Sequence, residues 1–150
     1  MNLTRTLLCS MVIGCVSAPA LAALGEDASS VAADRASLKG ELHVTPRVDY
    51  ALHEILTPGG LVVHEYVSPQ GRVFAVSWRG PAIPDLRQLL GSFYEQFAQA
   101  ASQPHGYNHH HLSVATPDVV VQSSGHTRAF FGRAWAPALL PADFSPNAIN

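Results

Sequence analysis

The sequence predicts an α+β fold. A single antiparallel sheet, a three-stranded meander plus a C-terminal hairpin in the order βββ-α-ββ, carries one amphipathic helix packed on a face. Three observations predict it. Residues 50–79, "YALHEILTPGGLVVHEYVSPQGRVFAVSWR", hold three runs of β-formers separated by Pro-Gly-Gly and Pro-Gln-Gly. Residues 86–100 place Leu86, Leu89, Leu90, Phe93, Phe97 and Ala100 at helical spacing. Two further β-rich runs, 118–124 and 126–136, close the pattern, with Ser124-Gly125 as the tight turn between them.

In chain order, residues 23–47 are Ala/Ser/Asp-rich and weakly patterned, a lead-in to the folded part. Within them "DASSVAADRASLKG" has the signals of a short helix, capped by Asp27 and stopped at Gly40. The folded core spans 48–136. In each meander loop Pro takes the first turn position and the last glycine takes the left-handed position before a G1 bulge. Thr57 then faces Leu61, and Ser68 faces Arg72.

Counting outward from those pairs sorts the meander into two faces. Face one holds Tyr50, Leu52, Glu54, Leu56, Val62, His64, Tyr66, Phe74, Val76 and Trp78. Face two holds Ala51, His53, Ile55, Leu61, Val63, Glu65, Val67, Val73, Ala75, Ser77 and Arg79. Face one is the larger and more aromatic, so it is expected to meet the core; a one-residue slip would mix the sets. The helix starts at Asp85 and runs about four turns, which is ordinary for a globular protein. Residues 102–117 read as a polar connection, and 137–150, with three prolines, as an irregular tail.

The ends and the composition bound the function. Arg5, an apolar run from Thr6 to Val16, Pro19 and then Ala20-Leu21-Ala22 have the layout of a secretory signal peptide. Residues 1–22 are therefore expected to be removed, leaving 23–150 as a single exported domain, periplasmic or secreted. "VIGC" offers the alternative of a lipoprotein anchored through Cys15. Both cysteines, Cys9 and Cys15, lie in the leader, so the processed chain has neither thiol chemistry nor disulfides. The leader's short apolar run does not reach the roughly 20 residues of a membrane span, and no later segment does. With Arg5 removed from nine basic residues, eight face eleven acidic ones, a formal charge of −3. That is no nucleic-acid surface.

The candidate residues are few. The register sets Glu54 opposite His64 on face one and His53 opposite Glu65 on face two. Such pairs stabilise a sheet by roughly 0.2–1 kcal/mol, and a carboxylate that orients an imidazole is also the core of an acid/base pair. "QPHGYNHHHL" (103–112) carries His105, His109, His110 and His111, and zinc or copper needs three or four converging ligands. Pro104, Gly106 and Asn108 oppose a helix there, so His105, His109 and His111 would need a distant ligand such as His126. In "SSGHTRAFFGRAW", Arg128 and Arg133 beside Trp135 have the chemistry to hold a carboxylate or an acidic glycan. G-x-S-x-G, G-x-G-x-x-G, P-loop and H-E-x-x-H signatures are missing, and no cofactor is expected.

The segments "ALGEDASSVAADR", "YALHEILTPGGLVVHEYVSPQGRVFAVSWRGP", "PDLRQLLGSFY" and "SSGHTRAFFGRAWAPALLP" resemble, in content and order, the bacterial exported family catalogued as domain of unknown function 2844. The resemblance covers nearly all of the chain after the leader. It implies an exported protein of proteobacterial type and carries no activity or catalytic residue. Three functions stay open. The first is a non-enzymatic periplasmic or secreted binding or accessory protein with a protein, small-molecule or glycan partner. The second is an enzyme using Glu54 and His64. The third is a histidine-based metal-binding or pH-responsive protein.

Overall fold

Turn chemistry fixes the centre of the sheet. Thr57 N–H bonds Leu61 O at 2.9 Å and Ser68 N–H bonds Arg72 O at 2.8 Å, while Gly60 and Gly71 take φ of 81° and 78°. The Pro-Gly-Gly and Pro-Gln-Gly loops thus close as their residues dictate. The computed structural model describes residues 24–103 and 111–150.

The sheet is larger than a meander and a hairpin. It has seven antiparallel strands in the order β1-β2-β3-β4-β7-β6-β5: β1 Glu41–Pro46, β2 Ala51–Leu56, β3 Val62–Val67, β4 Val73–Gly80, β5 His111–Ala115, β6 Val120–His126 and β7 Ala129–Trp135. The expected α+β arrangement of five strands and one helix is therefore corrected to a mostly β fold. The two added strands are its edges. β1 arises from the stretch read as a weakly structured lead-in, and β5 from the stretch read as a polar connection. β1 exposes five of its six residues, so no apolar alternation announces it.

The helical parts are short. A 3-10 turn at Ala28–Ser30, capped by the Asp27 carboxylate, leads into α1, Val31–Leu38, which ends on a left-handed Lys39. The predicted four-turn helix is interrupted. α2, Leu86–Leu90, is capped by Asp85; Gly91 (φ 49°) breaks it, and α3 follows at Tyr94–Ala101. Among the described residues no helix is long and apolar enough to cross a membrane.

The faces differ from the count in an instructive way. From β2 to β3 every predicted pair forms, including Glu54↔His64 and His53↔Glu65. Between β3 and β4 the register shifts at Tyr66/Val67. This β-bulge leaves Val73 where it was counted and puts both Phe74 and Ala75 against Tyr66. It then sends Val76 and Trp78 to face two, and Ser77 and Arg79 to face one. The helices cover face two, where Leu24, Val31, Leu89, Leu90 and Phe97 pack on Ile55, Val63, Val76 and Trp78. Face one, expected to meet the core, is covered not by a helix but by residues 137–150: Leu139, Phe144 and Ile149 pack on Tyr66, Phe74 and Ala75. Phe144 and Phe74 meet edge to face at 4.8 Å between ring centres. Buried on both sides, β4 is the spine of the molecule.

The last hairpin turns at Thr127-Arg128, with His126 paired to Ala129, rather than at Ser124-Gly125. Gly125 lies inside β6, where a Cβ would stand 2.6 Å from Ala129 O.

Candidate functional site

With this register, one row of polar side chains crosses face one at right angles to the strands. Its members are Glu54, His64, Ser77, Arg133, Gln122 and Ser113, each paired with the next. The row on one side is apolar and includes Leu52, Tyr66, Ala75 and Trp135. The row on the other side includes Val62, Arg79, Phe131, Ser124 and His111. The tail packs on Tyr66 and Ala75 of the apolar row and bonds His64, Ser77 and Arg133 of the polar row, while Arg79 and Phe131 of the third row stay exposed.

His64 is held at both ring nitrogens. Its Nε2 lies 2.9 Å from Glu54 Oε2 and its Nδ1 lies 2.8 Å from the main-chain oxygen of Asn150. The expected Glu54–His64 juxtaposition is thus present in the geometry. Asn150 O also accepts from Ser77 Oγ at 2.8 Å and from Tyr66 OH at 3.1 Å, and Asn150 N–H donates back to Tyr66 OH at 3.0 Å. Ser77 and His64 both spend their bonds on Asn150. No hydrogen bond joins Ser77 to His64, so the base–nucleophile contact of acyl-transfer chemistry is not made.

Arg133 stands over Trp135, with the guanidinium carbon 5.6 Å from the ring centre. Arg133 is already engaged. Its Nε donates to Gln122 at 2.9 Å, and its Nη1 donates to Pro146 O at 3.1 Å and Ile149 O at 3.4 Å. Arg128 sits apart in the hairpin turn, with a left-handed φ of 66°.

Two cavities flank Asn150. One, of about 310 Å³, has Arg79, His111, Gln122, Ser124, Phe131 and Arg133 among its walls. The other, of about 290 Å³, is walled by Glu54, Val62, His64, Ser77, Trp78, Arg79 and Asn150. A third, of about 370 Å³ at the hairpin end, takes Arg79, His126, Arg128 and Phe131. Arg79 is shared by all three. It is exposed, and among the described residues it forms neither an ion pair nor a side-chain hydrogen bond. Sequence reasoning passed over Arg79, Ser77 and Asn150. The bulge moved the first two to this face, and nothing local signals that the tail returns to it.

Of the candidate metal ligands, only His111 and His126 fall among the described residues. His105, His109 and His110 lie outside the described residues. His111 bonds Ser124 and lines the first cavity, whereas His126 lines the third. Among the described residues no three His, Cys, Asp or Glu side chains are grouped to hold a metal ion.

Face two holds a second polar cluster, of which the sequence revealed only the pairing of His53 with Glu65. Asp34 of α1 and Glu65 of β3 are each only 1 % exposed. Gln88 of α2 donates to Asp34 Oδ1. Asp34 Oδ2 and both Glu65 oxygens have no other donor, and His53 Nδ1 is also buried without a partner. Burial pushes the Glu65 carboxyl up to about 9, helped by the neighbouring Asp34 charge and by hydrogen bonding with it. Burial also raises Asp34, to about 6, against hydrogen bonds from Glu65 and Gln88 that hold it down. A proton retained on Glu65 supplies the missing donor between the two carboxyls. Burial lowers His53, which favours its neutral ring. The cluster lies on the face that the helices cover.

The model of the family described as Protein of unknown function (DUF2844) matches residues 20–149 of the 150-residue chain. No curated protein and no solved structure matches it.

Proposed function

The chain belongs to the family described as Protein of unknown function (DUF2844), so its role has to be read from its own surface, and we propose that it is an exported, non-enzymatic binding protein for a small anionic ligand held at Arg79. The leader-like layout of residues 1–22 supports export. The position of Arg79 carries the binding reading: a guanidinium unpaired among the described residues at the junction of three cavities, with Phe131 paired beside it and 54 % exposed. Arg128 and Arg133 add positive charge to the same surface. Glu54, the one acidic side chain in the three linings, is turned to His64. A planar guanidinium takes a carboxylate in two parallel bonds, and an exposed aromatic ring suits the apolar face of a sugar. The ligand class is therefore a carboxylate or an acidic glycan unit. The engagement of Ser77 and His64 by Asn150 weighs against the enzymatic reading.

Calorimetric titration with glucuronic acid, with glucose as the neutral control, tests this. Glucuronic acid binds the full chain, glucose does not, and Arg79→Gln lowers the affinity at least tenfold. Equal behaviour of the two sugars, or an unchanged affinity in R79Q, overturns the reading.

A further inference from the structure

We propose that His64, Tyr66 and Ser77 form a peptide-binding subsite, filled here by the chain's own segment 145–150 and able to take an equivalent peptide in trans. This goes beyond the anion reading: its ligand is a peptide main chain, and its residues are not Arg79.

The contacts have the form of recognition. Three side-chain donors from two adjacent strands converge on one main-chain oxygen, at 2.8, 3.1 and 2.8 Å, and the main-chain N–H of the same residue donates to Tyr66 OH. Arg133, from the next strand, holds two more main-chain oxygens of the segment. One side chain enters a pocket: Ile149 is 2 % exposed against Tyr66, Phe74 and Ala75. Ser145, Asn147 and Ala148 stay exposed. The site thus reads main chain plus one aliphatic anchor, which defines a ligand class rather than one sequence.

The cradle is built independently of what fills it. The backbone ladder fixes its strands in register, and His64 is braced from behind by Glu54. With the segment in place, Tyr66 and Ser77 are 1 % and 3 % exposed, so it excludes water from both hydroxyls while it accepts their hydrogen bonds. The cavities on either side of Asn150 give an incoming peptide room to extend. A tethered segment competes at an effective concentration on the order of millimolar, so a free peptide succeeds only when the tether's own anchor is weakened.

The experiment uses the full-length chain with Ile149→Ser. The probe is a synthetic peptide of residues 145–150, supplied with a free carboxylate and as its amide, titrated by calorimetry and by two-dimensional NMR. The peptide is expected to bind I149S at least tenfold more tightly than the unaltered chain. Adding His64→Gln or Ser77→Ala to I149S weakens binding at least tenfold, and so does Ile→Ala at the fifth position of the peptide. Should I149S lose its dispersed spectrum, Ala148→Pro replaces it. That change removes the Ala148 N–H bond to Ser145 O and keeps Ile149. Absence of binding to a folded loosened chain, equal binding to loosened and unaltered chains, or binding indifferent to H64Q and S77A overturns the proposal. Glucuronic acid binding at Arg79 is read on the unaltered chain, so either idea fails without the other.

Discussion

Replacing Glu65 by Gln should flatten the dependence of stability on pH above neutrality. Glu65 is buried beside Asp34, and its folded pKa lies near 9 against an ordinary 4.5. Between those values the folded chain keeps a proton that the unfolded chain has lost. The contribution of Glu65 to stability is therefore full below about pH 4.5 and falls as pH rises towards 9, by a factor of ten in the folding equilibrium per unit. Asp34, raised to about 6, adds a second falling contribution that is complete by about that pH. From pH 6 to 9 only Glu65 remains of the pair, and three units amount to about 4 kcal/mol. That is a large share of the 5–15 kcal/mol typical of a whole domain. The glutamine amide keeps the shape and a donor for Asp34 but has no proton to lose. Urea unfolding, followed through Trp78 and Trp135 at pH 6, 7.5 and 9, measures the effect. With a slope of about 2 kcal/mol per molar urea, the unaltered chain loses about 2 M in midpoint across this range and E65Q loses far less. Equal midpoints at pH 6 and 9 in the unaltered chain, or the same decline in E65Q, would refute the shared-proton argument.

Two backbone predictions are cheaper to check. Gly132→Ala places a Cβ 2.2 Å from Trp78 Cζ2 and 2.9 Å from Gln122 O, so thermal melts should show a loss of about 1–3 kcal/mol with altered Trp fluorescence. Arg128→Gly relieves a left-handed backbone in the hairpin turn, and the same melts should show a gain of roughly 1 kcal/mol. The binding arms for Arg79 and for the 145–150 segment are independent of both.

How much of this was legible in the sequence follows from which signals are local. The Pro-Gly-Gly and Pro-Gln-Gly loops are, and they gave the β2–β3 register to the residue, with Glu54 opposite His64. The helix start at Asp85 is local too, since its carboxylate accepts from Arg87 and Gln88 N–H. The edge strands are less so. β1 is solvated on nearly every residue, and β5 begins in a histidine run that reads as a loop although Leu112 and Val114 point inward. Ser-Gly is a turn signal that the chain does not use, because Gly125 is needed for close passage of β7. The Asp34–Glu65 pair brings α1 onto β3, and no periodicity in either segment announces that contact.

The candidate site depends on the least legible feature, the bulge at Tyr66/Val67. Residues 73–78 are buried throughout, so both phases of the strand satisfy the hydrophobic pattern and the sequence cannot choose between them. The uninterrupted count would set Val76 beside His64 and would place Trp78 on face one. One extra residue opposite Tyr66 reverses this. Trp78 then goes beneath the helices, where the missing side chain of Gly132 makes room for its ring, and Ser77 and Arg79 reach face one. The cost is a disturbed ladder in a central strand. The return is a row in which Glu54, His64 and Ser77 adjoin, a cradle for Asn150, and a guanidinium facing three cavities. A bulge that merely relieved packing would have no reason to bring every one of these groups to the face the helices leave uncovered.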